Sequence, residues 1–307
     1  MAKSTREAYG EALAELGKTN NRIVVMDADL CGSTKSSIFK KAFPDRFYDF
    51  GIAEANMICA AAGFAMSGYI PFASTFAMFD AGRAYEQIRN TVAHSGANVK
   101  IAGAHAGLSV GEDGATHQTL EDISLMRGIP GMTVFVPSDA IETKKAVKAA
   151  AEIEGPVYLR LSRPDIAPVT GEEDPFIPGK ANVLREGADA AIFACGLMVE
   201  PALEAARLLE KDGISAAVLN FHTIKPLDSE AILSYCGRVR AIVTAEEHFI
   251  TGGLGSAVAE VMAGHPGARF DRVGVEDRFG QSGSPAALFE EYGLTAANIA
   301  ERVKALL

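Results

Sequence analysis

A glycine-rich segment at residues 104–118, set between an apolar run and a helical pattern, most constrains how this chain can fold. The apolar run, residues 99–103, predicts a buried strand, and the helical pattern begins at Leu120. Ligands bind at the carboxyl ends of strands in open α/β sheets, and long loops in compact domains are usually functional. We therefore predict a functional site here, with a solvated surface turn as the alternative. The titratable side chains of the segment are those of His105, Glu112, Asp113 and His117.

Short apolar runs alternate with helical patterns through the first 165 residues. Such alternation predicts a mainly parallel sheet that is covered by helices on both faces. Ser138 is expected to cap the helix that follows it. The predicted strands are residues 23–26, 47–50, 69–74, 99–103, 132–136 and 157–161, with helices from residues 54 and 79 among those between them.

A second α/β pattern follows a segment rich in proline and acidic residues, which we place at 166–184 as an interdomain linker. The fold class is therefore predicted to be α/β, with two consecutive domains at residues 1–165 and 185–307. Each domain is expected to be a mainly parallel sheet flanked by helices. The strands predicted in the second domain are residues 190–194, 216–219, 241–244 and 270–275.

Composition excludes several classes of function. The formal net charge of −10 and the lack of a basic stripe argue against a nucleic-acid partner. No apolar run reaches the about 18 residues that a membrane span needs, and the first residues lack an apolar signal core. The four cysteines form no metal-type spacing, which favours free thiols in a reducing compartment. We expect a cytoplasmic protein that does not associate with membranes.

Side chains suited to a flat cofactor and an oxygen-rich substrate follow the predicted strands of the first domain. A carboxylate begins a helix at Glu54, and two aromatic residues, Phe76 and Phe79, lie three positions apart. This set suits a heteroaromatic cofactor beside a hydroxylated or phosphorylated substrate. Each residue also has a structural alternative: core packing for the two phenylalanines and helix-dipole compensation for Glu54. The remaining members of the set are Asp29, Ser33, His105, Asp113, His117 and Arg163.

Five motifs, taken together and in this order, resemble those of transketolase. The resemblance covers essentially the whole chain, but only the pyrimidine-binding and C-terminal domains of a full-length transketolase. The motifs are Gly-Ile-Ala-Glu at 51–54, Ser-Thr-Phe-Ala-Met-Phe at 74–79, Gly-Glu-Asp-Gly-Ala-Thr-His at 111–117, Leu-Ser-Arg at 161–163 and Thr-Ile-Lys-Pro-Leu-Asp at 223–228.

The chain contains no Gly-Asp-Gly segment, which in this family begins the Mg²⁺ and diphosphate site. The resemblance therefore implies the C-terminal subunit of a split transketolase, acting in carbohydrate (pentose phosphate) metabolism. An N-terminal subunit with the diphosphate-binding domain would be the partner, in a hetero-oligomer such as a heterotetramer. Thiamine diphosphate would be shared between the two chains, with Mg²⁺ on the partner and no metal ligand expected here.

The resemblance also implies roles for individual residues. Glu54 would bond the pyrimidine ring of thiamine and exchange a proton with it, while Phe79 and Phe76 would stack on that ring. His117 would bond the transferred unit, and Asp113 would bond a substrate hydroxyl. A tyrosine of some transketolases has no counterpart near Gly82. Asp29 and Leu30 would lie beside the thiazolium, and Arg6, Ser33, His105 and Arg163 would hold a sugar phosphate.

Three other functions fit the same two-domain layout. Two are enzymes: the β chain of a 2-oxo acid dehydrogenase E1 component, and a deoxyxylulose phosphate synthase-like enzyme. The Asp113–His117 pair suits sugar hydroxyls and Arg163 suits phosphate, which argues against the oxo-acid enzyme. A non-catalytic binding or regulatory subunit is the alternative outside enzymes, and the complete set of Glu54, Phe79, Asp113 and His117 argues against it. The second domain is expected to support assembly and to carry no chemistry.

Overall fold

Two mainly parallel sheets organise the chain in a computed structural model that describes residues 2–307. This architecture confirms the predicted α/β fold class. The strands are β1 (Ile23–Asp27), β2 (Phe47–Asp49), β3 (Ile70–Phe76), β4 (Lys100–Ala104), β5 (Thr133–Phe135), β6 (Val157–Arg160), β7 (Asn182–Arg185), β8 (Ala190–Ala194), β9 (Ala216–Asn220), β10 (Thr223–Lys225), β11 (Ala241–Phe249) and β12 (Arg269–Val275).

Helices cover both faces of each sheet, which explains why the central strands β1, β3, β4 and β8 are buried along their whole length. The α-helices are α1 (Thr5–Thr19), α2 (Cys31–Thr34), α3 (Ser37–Ala42), α4 (Glu54–Met66), α5 (Tyr85–Gln87), α6 (Asp122–Arg127), α7 (Ala140–Glu152), α8 (Val199–Lys211), α9 (Ser229–Arg238), α10 (Leu254–Met262), α11 (Pro285–Glu291) and α12 (Ala296–Leu306). Shorter 3₁₀ segments lie at Pro44–Arg46, Leu108–Asp113 and Gly196–Met198. None of the helices within residues 2–307 has the length and apolarity of a bilayer span.

The first sheet has the strand order β10-β5-β6-β4-β3-β1-β2. All of its neighbouring strands are parallel except β10 and β5. Because β2, β1, β3, β4 and β6 are parallel neighbours, the segments that follow them emerge along one edge of the sheet. This edge receives every segment that the sequence singled out in the first domain.

The second sheet has the order β12-β11-β8-β9-β7, and only β7 runs antiparallel. β7 begins at Asn182, inside the segment that we placed in the linker. β10 follows β9 in the chain but pairs with β5, so a strand from the second half of the chain extends the first sheet. Neither strand was predicted, because Asn-Val-Leu-Arg and Thr-Ile-Lys have polar residues at both ends and show no continuous apolar run.

Two local predictions need correction. The helix predicted from Phe79 is interrupted: π-helical turns at Phe79–Arg83 and Ile88–His94 flank the short α5. Helix α7 is capped by Asp139, whose Oδ1 accepts from the Glu142 N–H at 2.9 Å, and not by Ser138. The Ser138 hydroxyl instead donates to the Glu142 carboxylate at 2.6 Å, and Asp139 occupies the N-cap position.

Candidate active site

Glu54 lies at the start of α4, where its carboxylate is almost completely buried, with 1% exposure. The helix N-terminus favours a negative charge at this position. Arg83, on the π-helical turn after β3, reaches Glu54 from the end of the next strand but one: its Nη1 donates to Oε1 at 2.9 Å and to Oε2 at 3.0 Å. The Arg83 side chain is 52% exposed, so the pair joins a buried anion to a half-solvated cation.

Phe76 and Phe79 form a stacked aromatic pair beside this carboxylate. Their ring centroids lie 5.9 Å apart with an interplanar angle of 14°. The edge of the His117 ring faces both phenylalanines, at 6.1 Å from Phe76 and 5.5 Å from Phe79. The Arg83 guanidinium lies over Phe79, 4.7 Å from the ring centroid. Glu54, Phe76, Phe79, Arg83 and His117 therefore line one site, which we call the Glu54 pocket.

His105 connects the Glu54 pocket to a cationic group. Its ring stacks on Phe76 at 4.0 Å, and its Nε2 lies 3.2 Å from Nη1 of Arg6. Burial, together with the nearby charges of Arg6 and Arg163, lowers the pKa of His105 to about 3. The imidazole is therefore neutral, with Nε2 accepting from Arg6 and the proton on Nδ1. No group within residues 2–307 bonds the buried Nδ1, which leaves this N–H free to donate to a ligand.

Arg6 and Arg163 line one open cavity at the edge of the sheet. The Arg6 guanidinium donates to the Ser33 carbonyl oxygen at 2.8 Å, and burial together with the charge of Arg163 lowers its pKa. Arg163 bonds the carbonyl oxygen of Val110 and lies 3.6 Å from Oδ1 of Asp113. Glu112 and Asp165 line the same cavity, so the two arginines suit an anionic group of a ligand once Arg163 leaves its contacts with Glu112 and Asp113.

A carboxyl group of the second domain supports the glycine-rich loop. Oε1 of Glu247, on β11, accepts from the Ser109 N–H at 2.6 Å. A Cβ at Gly107 would lie 2.3 Å from the Glu247 carboxyl group, and φ at this residue is +85°, so only glycine fits this approach. Burial raises the pKa of Glu247 to about 7, against the opposing effect of the charge of Arg160. The loop thus depends on a carboxyl group of the other domain.

Asp29 and Leu30 stand apart from the Glu54 pocket. Asp29 is exposed, with φ of +63°, and its main-chain N–H donates to Asp49 at 3.1 Å. The Leu30 N–H donates to the buried Asp27 carboxylate at 2.6 Å. Neither side chain takes part in the contacts that join Glu54, the aromatic pair and the arginines, and their assignment to the cofactor stays a prediction.

Sequence reasoning missed Arg83 and Glu247, which hold two of the predicted segments. Arg83 is 29 residues from Glu54, and Glu247 is 138 residues from Ser109. One signal was available for Arg83. It lies four positions after Phe79, close to where the family tyrosine is missing, and a helical pattern places such residues on one face.

A third missed residue, Asp80, directly follows Phe79 and is fully buried. Within residues 2–307 neither of its carboxyl oxygens has a hydrogen-bond partner. Burial raises the pKa of Asp80 well above its usual range, and the charges of Glu54 and Asp27 add to this effect. Burial thus disfavours the charged form of Asp80, which is next to Phe79 in the chain.

The contacts of Arg83 indicate that the Glu54 pocket would fit the aminopyrimidine of thiamine. Arg83 places a planar, delocalised group with N–H donors on the Phe79 ring and against both Glu54 oxygens. An aminopyrimidine is likewise planar, and its ring nitrogen presents an N–H to a carboxylate when it carries the shared proton, so the guanidinium occupies a position that suits such a ring. Among residues 2–307 no group of three or more His, Cys, Asp or Glu side chains could hold a metal ion.

Two family models match the chain: "Transketolase, pyrimidine binding domain" over residues 1–168 and "Transketolase, C-terminal domain" over residues 179–299. The chain is 48% identical over 304 residues to a protein of Methanocaldococcus jannaschii described as a transketolase C-terminal section, covering 98% of this chain and 95% of that one. It is 44% identical to a 6-deoxy-6-sulfo-D-fructose transketolase subunit of Clostridium sp. strain MSTE9, covering 96% and 91%.

A solved structure titled as a split gene transketolase, inactive β4 tetramer, has the same fold. It is 52% identical to this chain, and the TM-score is 0.93 over 99% of this chain and 98% of that one. These similarities confirm the resemblance that the sequence motifs indicated.

Asp80 gives the first testable prediction. Its pKa is raised in the folded state above the value of about 3.9 in an unfolded chain. Folding therefore takes up a proton, and this contribution to stability is lost as pH rises. We expect Asp80→Asn to remove that part of the pH dependence, so that between pH 5 and pH 8 its free energy of unfolding relative to wild type improves by about 1.4 kcal/mol for each pH unit over which Asp80 stays protonated in the folded chain.

Urea unfolding at several pH values measures this effect. Asp45→Asn, at an exposed aspartate, is the matched control and should leave the pH dependence of stability unchanged. A difference between Asp80→Asn and wild type that stays constant over this pH range would contradict a raised pKa of Asp80.

Proposed function

The chain belongs to the transketolase family, and we propose that it is the C-terminal subunit of a two-chain transketolase. Together with a partner that carries the diphosphate-binding domain, it would transfer a two-carbon ketol unit between sugar phosphates. The observation that carries the proposal is the Glu54 pocket, in which a buried carboxylate and a stacked aromatic pair lie beside His117. These are the contacts that an aminopyrimidine needs: a proton-exchanging acid and a flat apolar surface.

Glu54 would bond a ring nitrogen of the pyrimidine and exchange a proton with it. A carboxylate at 1% exposure is shielded from competing water, which strengthens a hydrogen bond to this nitrogen. Phe79 and Phe76 would stack on the pyrimidine and fix the orientation of its ring, because their own rings already lie nearly parallel. When bound, thiamine diphosphate supplies the carbon nucleophile that adds to a ketose carbonyl.

The substrate would lie where the glycine-rich loop meets the two arginines. Arg6 and Arg163 would bind the terminal phosphate, and the unpaired Nδ1–H of neutral His105 would donate to a substrate oxygen. Asp113 would bond a hydroxyl next to the reacting carbonyl, and His117 would bond the oxygen of the transferred unit. Ser33 would remain beside the phosphate, because its carbonyl oxygen positions Arg6.

A partner subunit would complete the cofactor site. The sequence has no Gly-Asp-Gly segment, and the similar proteins are described as a C-terminal section, a subunit and a split gene product. We place Mg²⁺ and the diphosphate on that partner, in a hetero-oligomer such as a heterotetramer. The tetramer of the similar β chain, which its title calls inactive, supports the need for a second chain. Cytoplasmic pentose phosphate metabolism is the proposed setting.

A sulfonated ketose is a second candidate substrate. The Clostridium relative is named for 6-deoxy-6-sulfo-D-fructose. A sulfonate, like a phosphate, offers oxygens to which guanidinium N–H groups donate. The pair of Arg6 and Arg163 therefore suits either anion, and the same ketol transfer would apply to both.

Replacing Glu54 tests the proposed proton exchange. Glu54→Gln keeps an oxygen that can accept from Arg83 but cannot exchange a proton, so we expect kcat of the assembled enzyme to fall about 10²–10⁴-fold. The circular dichroism spectrum should stay that of wild type. Glu86→Gln, at an exposed glutamate, is the control and should keep wild-type kcat. Ketol transfer by Glu54→Gln within threefold of wild type would refute the assigned role.

Replacing Arg163 tests the phosphate contact. We expect Arg163→Ala to raise KM about tenfold to a hundredfold for a ketose phosphate, because a hydrogen bond to a charged group contributes about 1.5–3 kcal/mol. KM for the same ketose without its phosphate should change little. Arg207→Ala, at an exposed helix residue, serves as the control. Equal effects on both sugars would assign Arg163 to the loop alone, through its bond to Val110.

A further inference from the structure

We propose that Arg83 occupies the pyrimidine position of the Glu54 pocket while the chain is free, and that its guanidinium must leave before the cofactor enters. The inference rests on the proposed function. It assigns to Arg83 control over cofactor access, in addition to the residues that would hold the cofactor.

The position of the guanidinium supports this role. It bonds both oxygens of Glu54 and lies 4.7 Å from the Phe79 centroid, so it covers the two surfaces on which a pyrimidine would depend. A ring that stacked on Phe79 and bonded Glu54 would overlap it. Arg83 and the cofactor therefore compete for one space.

The charge of Glu54 explains why the free chain keeps Arg83 there. An unpaired carboxylate at 1% exposure would lose its hydration without compensation. The guanidinium supplies a counter-charge and two hydrogen bonds, and the contact with Phe79 adds a cation–π attraction. The free pocket is thus closed by a group that stabilises it.

The exposure of Arg83 explains how the pocket can open. Its side chain is 52% exposed, so the guanidinium can turn into water without crossing the protein. Gly82, which precedes it, is also exposed, and a Cβ there would meet only Met78 Cε at 3.5 Å. Because the guanidinium is solvated on one side, a ligand that stacks on Phe79 and supplies its own N–H to Glu54 can displace it.

A matched control exists in the second domain. Arg238, on α9, has a side chain that is 50% exposed, lies 4.6 Å from the Tyr235 centroid and pairs with Glu186 at 3.3 Å. It repeats the stacked, half-exposed ion pair of Arg83 at a site that is not part of the Glu54 pocket.

The experiment is a titration of thiamine, which carries no diphosphate, into the full chain without its partner. Binding is followed by ligand-detected NMR for wild type, Arg83→Gln, Arg83→Lys and Arg238→Gln, after circular dichroism has shown that each variant is folded. We expect Arg83→Gln to bind thiamine about three- to thirtyfold more tightly than wild type, because an ion pair and a cation–π contact no longer oppose entry.

The other variants make the result specific. Arg83→Lys keeps a cation for Glu54 but has no planar group for Phe79, so its gain should be smaller than that of Arg83→Gln. Arg238→Gln should bind as wild type does. Unchanged or weaker thiamine binding by both Arg83 variants would overturn the proposal, and so would no detectable binding by any variant. Weaker binding would mean that Arg83 holds the ring.

The outcome can be separated from a failure of the proposed function. If wild type with its partner transfers ketol units while the Arg83 variants gain no thiamine affinity, only the role of Arg83 is wrong. If that complex transfers no ketol unit, the proposed function fails, whatever the thiamine titration shows.

Discussion

The burial of one carboxylate at the edge of a parallel sheet determines the arrangement of the candidate site. Glu54 has almost no contact with water, and a buried carboxylate needs a counter-charge or hydrogen-bond donors. In the free chain both come from Arg83, which is anchored at the end of the next strand but one. The same demand would be met by a ring nitrogen that shares a proton with Glu54. The pocket is therefore built to exchange one partner for another.

The second domain contributes to the site without facing the substrate. Glu247 bonds the main chain of the glycine-rich loop at Ser109, and β10 extends the first sheet at β5. Gln118 adds a further connection, since its Nε2 donates to the Gln281 carbonyl oxygen at 3.0 Å. We infer that the loop keeps its shape only while the two domains stay docked. This support is more direct than the role in assembly that we expected from the sequence.

Much of the architecture could be predicted from the sequence because most strands of a covered parallel sheet contain apolar runs and their carboxyl ends share one edge. This logic placed Glu54, Phe79 and His105 on segments that meet at that edge. It could not find Arg83 or Glu247, whose partners lie far away in the chain. It also missed the π-helical turn at Phe79–Arg83, which fixes where Arg83 points. A π-helical turn and a contact between docked domains do not produce a hydrophobic period, so neither can be recognised in the sequence.

The central claim is that the Glu54 pocket is half of a cofactor site that another polypeptide completes. The most direct test is equilibrium binding of thiamine diphosphate with Mg²⁺ to the chain alone and to the chain mixed with a partner that contains a Gly-Asp-Gly segment. We expect only weak binding to the chain alone and tight binding of one cofactor per pair of chains in the mixture. Tight, Mg²⁺-dependent binding to the chain alone would contradict it.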